Sequence, residues 1–150
     1  MAAKARSRSR SAARLAAVQA LYQQEMEKTS LPRLLREFHA HRIGQVIEDT
    51  EYEAAEIDFF DTLVAGVDER REEIDALIVP KLAEGWSFER LDRPQRQILR
   101  CGVFELIAMP DIPTGAIISE YVDVADAFYE KREKAFVNGL LDAVAKDVRH

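Results

Sequence analysis

The chain has 150 residues, 47% hydrophobic and 32% charged, which suits a globular protein with one core and leaves too little chain for two large domains. No stretch approaches the roughly 18 consecutive apolar residues of a membrane span, and the single cysteine, Cys101, excludes an internal disulfide and a thiolate metal cluster. The net charge of −6 is unevenly spread: Lys4, Arg6, Arg8, Arg10 and Arg14 precede the first acid, Glu25, so that 16 of the 21 basic residues share the remainder with all 27 acids. A basic head on an acidic body reads as an arm that takes nucleic acid locally while the body repels it elsewhere. A solvated tail is the plain alternative, and an Arg-, Ser- and Ala-rich head also suits an organelle transit peptide. A secretory signal fits worse, because Gln19 interrupts the short apolar part.

Helical periodicity runs through nearly the whole chain, and strand alternation is almost absent. A first helix is predicted from within the Arg–Ser alternation at residues 6–11 to about Lys28. Its apolar stripe is Leu15, Val18, Leu21, Tyr22 and Met26, and residues 1–13 form a flexible basic arm leading into it. Ser30 as N-cap and Pro32 in the first turn start a second helix that buries Leu31, Leu34, Leu35 and Phe38 and ends near Gly44. Thr50 and Glu53 have capping-box spacing. The third helix that follows turns Ile57, Phe60, Leu63, Val64 and Val67 to one face and is broken or bent at Gly66 and Asp68. A fourth continues through Ile74, Leu77 and Ile78 to about Leu82, loosened by Pro80, and the run from Asp68 to Glu73 is a solvated face of mixed-sign pairs.

Gly85-Trp86-Ser87 is a connection. Asp92 and Gln95 repeat the capping-box spacing ahead of a fifth helix over about 93–109, which is apolar on almost every side in its second half and so belongs at the centre. Cys101 sits there as a small core hydrophobe and fits a reducing cytoplasm. Met109 to Pro113 is a rigid turn. A sixth helix over about 114–129 turns Ile117, Ile118, Tyr121, Val124, Ala125 and Phe128 inward, and a last helix runs from about Glu133 to Val148. The expected fold is all-α, a bundle of about seven helices in two packed subdomains over about 14–82 and 83–150.

Catalysis finds little support. The sequence holds no glycine-rich phosphate loop and no HExxH; His39 and His41, two apart, point to different sides of a helix, and His150 is terminal. No metal site and no cofactor are expected. Nucleic-acid binding fares better. Arg10 and Arg14, four apart, share a helical face, and guanidinium groups grip phosphates bidentately or stack on bases. Toward the other end, Val137, Leu140, Leu141, Val144 and Val148 form one stripe, with Phe136 at its margin close to Lys134. Such a ring either stacks an unpaired base or covers the core edge, and the pattern alone leaves both open.

Five segments in order resemble the NusB family of bacterial transcription antitermination factors, across nearly the whole chain. They are Arg14 to Tyr22 preceded by arginines, Leu63 to Val67, Ile98-Leu99-Arg100 with Phe104-Glu105-Leu106, Ala116 to Ala125, and Phe136 to Asp142. The resemblance implies two packed three- or four-helix subdomains. It also implies binding, without turnover, of the single-stranded boxA element of ribosomal RNA leader transcripts, as a heterodimer with NusE, a ribosomal small-subunit protein. That pair joins NusA, NusG and RNA polymerase in a termination-resistant complex, and homodimers that mask the RNA surface also occur in the family.

Carried over position by position, Arg6, Arg8, Arg10, Ser11 and Arg14 form the RNA-binding head, with Ser11 standing where relatives often have another arginine and Arg8 compensating. Phe136 matches the family's RNA-contacting aromatic. Lys134 supplies the neighbouring charge, because Ala135 replaces a lysine common in relatives. Glu89 and Gln95 fall in the region implied to face NusE or RNA, and Glu120 matches a typical acidic position. Gln95 replaces an acid of some relatives, so no salt bridge is expected there. Two other readings are a protein-binding helical adaptor without RNA contact, and a domain related to that at the front of ribosomal RNA cytosine methyltransferases. Residues 1–150 hold neither a Rossmann-type domain nor the second cysteine for that chemistry. The RNA reading expects the cationic head and Phe136 to converge on one unpaired strand.

Overall fold

Ala2, Ala3, Lys4 and Ala5 are strong helix formers, and they draw the first helix further forward than its predicted start. The computed structural model describes the backbone of residues 2–40 and 50–149 and the side chains of residues 10–40 and 57–149. Within it, α1 spans Ala2–Glu27, so the Arg–Ser segment is part of the helix instead of an arm ahead of it. The helix stops at Lys28, whose N–H still donates to the carbonyl of Gln24 at 2.7 Å and whose left-handed φ of 55° then turns the chain away. Further helices are α2 (Leu31–Phe38), α3 (Thr50–Glu69), α4 (Arg71–Ile78), α5 (Arg93–Ala108), α6 (Thr114–Asp126) and α7 (Lys131–Val148). Short 3-10 turns cover Val79–Lys81 and Phe88–Arg90. Among the described residues the all-α expectation of about seven helices holds, and no described helix is long and apolar enough to cross a membrane.

The chain divides into two compact units, Met1–Gly66 and Val67–His150. The boundary therefore falls inside α3 and not at the expected 82/83. Ion pairs explain the shift: Arg100 on α5 grips Asp75 on α4 through two hydrogen bonds of 2.8 and 2.9 Å, and Lys81 meets Asp147 at 2.8 Å. These ties hold α4 and the turn after it within the second unit.

In the first unit α1 packs on α2. The buried face of α1 is Ala13, Ala17, Val18, Ala20 and Leu21, whereas Tyr22 and Met26, expected in the stripe, are exposed. Small side chains let a neighbouring backbone approach closely, and a count of large apolar residues overlooks them. The backbone at Ser30 has the extended conformation of a cap, but its hydroxyl makes no capping bond. Leu34 and Phe38 are the buried residues of α2, and Phe38 stacks on Phe60 of α3 with ring centroids 5.6 Å apart. Gln23 donates to Glu37 at 3.1 Å, and His39 Nε2 lies 2.6 Å from Asp61. α3 continues unbroken through Gly66, because one helical glycine costs only about 1 kcal/mol and Phe60, Leu63, Val64 and Val67 are all buried along it. The expected helix end near Gly44, His41, His150 and the side chains of Thr50 and Glu53 lie outside the described residues.

The second unit is built around α5, where Ile98, Leu99, Cys101, Val103 and Phe104 are buried. Gly102 permits close approach of α7: a Cβ there would sit 2.9 Å from both Leu141 methyl carbons. Burial, with Glu105 nearby, pushes the Cys101 thiol well above its ordinary range, which keeps it unreactive. Tyr121 on α6 donates its hydroxyl to Glu105, both fully buried. α4 ends at Ile78 and tightens into the 3-10 turn containing Pro80, which lacks the N–H that a continuing helix needs. α6 ends at Asp126, so Phe128 leaves its helical register and is exposed instead of inward. Arg149 closes the unit. Its guanidinium donates to the carbonyls of Leu106, Ile112 and Met109 at 2.9, 2.6 and 2.7 Å, with longer bonds to Thr114 and Glu105.

Candidate nucleic-acid interface

The first unit carries a guanidinium pair on one helix face. Arg10 and Arg14, one turn apart on α1, each place Cζ 5.1 Å from the centroid of the Phe59 ring on α3. Cation–π contact holds both groups against that ring. They differ in access: Arg14 is only 3% exposed, whereas Arg10 is half-buried. Arg10 is therefore the more available cation, and Arg14 is nearly buried. Ser11 is half-buried on the same helix. Arg6 and Arg8 lie on the backbone of α1, and their side chains fall outside those described.

The second unit carries a cleft of about 420 Å³ between the 82–95 connection and the start of α7. Phe136, half-buried at the margin of the α7 stripe, lines it, together with Trp86, Arg90 and Arg132. Gly85, at φ 86°, makes the turn that leaves Trp86 51% exposed. Arg90, four residues on, places its guanidinium 5.3 Å from the Trp86 ring and donates to the carbonyl of Gly85 at 3.3 Å. Arg100 stacks in the same way 4.9 Å from Phe88, anchoring the 3-10 turn from beneath. Gln95 lines the cleft and is only 7% exposed. Asp92 at the head of α5 makes no side-chain cap, so the expected capping box with Gln95 does not form and the Gln95 amide is left to the cleft.

Other predicted residues lie elsewhere. Lys134 is not part of the cleft lining. Its ammonium is 2.7 Å from Asp126, whose hydrogen bond and charge raise its pKa above the ordinary lysine value. Arg132, two residues earlier, is the α7 cation that reaches the cleft. Glu89 is exposed in the 3-10 turn beside the lining, and Glu120 is half-buried on α6. Trp86, Arg90 and Arg132 were missed by sequence reasoning. The legible signal was a lone tryptophan in a polar connection with an arginine four residues later.

Among the described residues no three His, Cys, Asp or Glu side chains are grouped to hold a metal. The geometry offers rings, guanidiniums and an amide, which are groups that bind. Fold and site together define an all-helical binding protein. A family model described as "NusB family" matches residues 11–146, and the chain belongs to the NusB family, whose antitermination factors are non-enzymatic RNA-binding proteins.

It is 62% identical over 144 residues to the transcription antitermination protein NusB of Sphingopyxis alaskensis, covering 96% of this chain and 97% of that one. It is likewise 62% identical over 142 residues to the protein of that name from Novosphingobium aromaticivorans, covering 95% and 96%. Among solved structures, T. maritima NusB superposes with a TM-score of 0.76 at 32% identity, over 92% of this chain and 91% of that one. A chain from a structure of antitermination factors NusB and NusE in complex with double-stranded RNA superposes with a TM-score of 0.79 at 28% identity, over 93% and 98%.

Proposed function

We propose that this chain is a transcription antitermination factor that binds single-stranded boxA RNA of ribosomal RNA leader transcripts together with NusE, in the cytoplasm. The observation that carries the reading is the second-unit cleft, where Phe136 and Trp86 offer π-faces beside the guanidiniums of Arg90 and Arg132. Unpaired bases stack on such rings, and their phosphates take such cations. The NusB–NusE–RNA neighbour supports both partners at the coarser level; its RNA is double-stranded. Arg10, with Arg14 and Ser11 behind it and Arg6 and Arg8 ahead on the same helix, neutralises phosphates and gives binding its salt dependence. Lys134, already paired with Asp126, adds long-range attraction more than direct contact. Glu89 and Glu120 are the acidic positions offered to NusE. Assembly with NusA, NusG and RNA polymerase then follows from this pair, and a homodimer would compete with it.

The test is fluorescence anisotropy of labelled boxA-like RNA, single-stranded and as its duplex, with and without NusE. The expected result is preference for the single strand, tightened by NusE and weakened by Arg10→Ala with Arg14→Ala. NusE binding with no RNA affinity in any combination would favour the adaptor reading and overturn this one.

A further inference from the structure

The cleft holds two polar side chains besides its rings and cations. Gln95 is more than nine-tenths buried and lines the cleft. Glu133, at the start of α7, also lines the cleft, and its Oε2 is buried without a hydrogen-bond partner. A buried carboxylate oxygen without a partner calls for a donor, since leaving it unmet costs free energy, and a buried amide in the same cleft has N–H groups to offer an acceptor. A volume of about 420 Å³ is within the range of pockets that take a small planar molecule.

Nucleobases differ in what they bring to such a wall. Guanine presents two adjacent donors, N1–H and the 2-amino group, next to the O6 acceptor. Uracil flanks its one donor with two carbonyls that a carboxylate repels. Adenine and cytosine each set an acceptor beside their amino group. Only guanine matches a carboxylate bidentately and leaves O6 for an amide N–H. We infer that this cleft takes one unpaired guanine, with Trp86 or Phe136 against its face, Glu133 on N1–H and the 2-amino group, and Gln95 on O6. Arg90 and Arg132 hold the flanking phosphates and offset the Glu133 charge. Arg90 against the Trp86 ring keeps that ring in place before the base arrives. The assignment deepens the RNA-binding reading and rests on it.

Trp86 is the only tryptophan in the chain, so its fluorescence reports this cleft alone. The experiment titrates the full chain, with and without NusE, with short labelled uridine strands carrying one central guanosine, inosine, adenosine or no substitution. Anisotropy and tryptophan emission are read together. Inosine keeps N1–H and O6 and lacks only the 2-amino group. The guanosine strand should quench Trp86 and bind roughly tenfold tighter than the inosine strand, as expected for losing half of a bidentate pair. Glu133→Gln should abolish that difference, and Trp86→Leu should weaken the guanosine strand by roughly fivefold or more while circular dichroism stays unchanged. Equal binding of the guanosine and inosine strands, or binding without a change in Trp86 emission, overturns the guanine assignment and leaves the RNA-binding reading standing. No binding of any strand, with or without NusE, defeats both.

Discussion

Arg149→Ala removes a guanidinium that gathers carbonyls from the end of α5 and the connection after it. Three of its five hydrogen bonds are 2.9 Å or shorter, to Leu106, Ile112 and Met109, and two are longer than 3.1 Å. At about 1 kcal/mol net for each short bond, and little for the long ones, the loss is about 3 kcal/mol. That amount lowers the thermal midpoint of a protein this size by roughly 6–12 °C. Arg149→Lys keeps a cation at the negative end of the α5 dipole but cannot span five acceptors, so it should recover only about 0.3–1 kcal/mol. Urea unfolding followed by far-ultraviolet circular dichroism measures both. A change under about 0.5 kcal/mol for the alanine variant, or full recovery by lysine, would refute the view that Arg149 works through its fork of hydrogen bonds.

Asp75→Asn leaves Arg100 nearly buried with half its partner gone and should cost about 1–3 kcal/mol in urea unfolding, less than a fully buried pair because a quarter of Asp75 remains exposed. An unchanged midpoint would remove this ion pair from the account of where the units divide. Phe136→Ala should weaken boxA binding by about 1–3 kcal/mol without altering the dichroism spectrum. Filter binding that finds equal affinity would return Phe136 to the core edge. Burial, followed by the Asp92 charge, pushes the Tyr129 hydroxyl from its ordinary 10.0 up to about 12. The unfolded chain therefore gives up this proton first as pH rises, and stability should fall between those two values. Tyr129→Phe should flatten that decline and leave stability at neutral pH nearly unchanged, which a denaturation series across pH checks.

Much of the fold is readable locally. Proline, glycine and periodic apolar residues mark where helices start and stop, and α5 and α7 lie close to their expected spans. The errors arise where distant residues decide. The inward face of α1 is largely alanine, which carries little hydrophobic weight in a pattern. The division between units depends on Asp75 finding Arg100 and Lys81 finding Asp147, and no spacing announces either pair. The candidate interface was half legible. Arg10, Arg14, Gln95 and Phe136 follow from pattern and resemblance, but the near-complete burial of Arg14 and its contact with the Phe59 ring do not, because no spacing places that ring near α1. Trp86, Arg90 and Arg132 meet Phe136 only because the fold brings a connection against the start of α7.

Photo-cross-linking tests the RNA-binding account most directly. A boxA strand carrying photoactivatable bases would be bound to the chain and NusE, irradiated, digested and mapped by mass spectrometry. The account predicts linked peptides from the arginine-bearing part of α1 and from the segment containing Arg132 and Phe136, both lost in excess unlabelled boxA. Links confined to other helices, or to NusE alone, would contradict it.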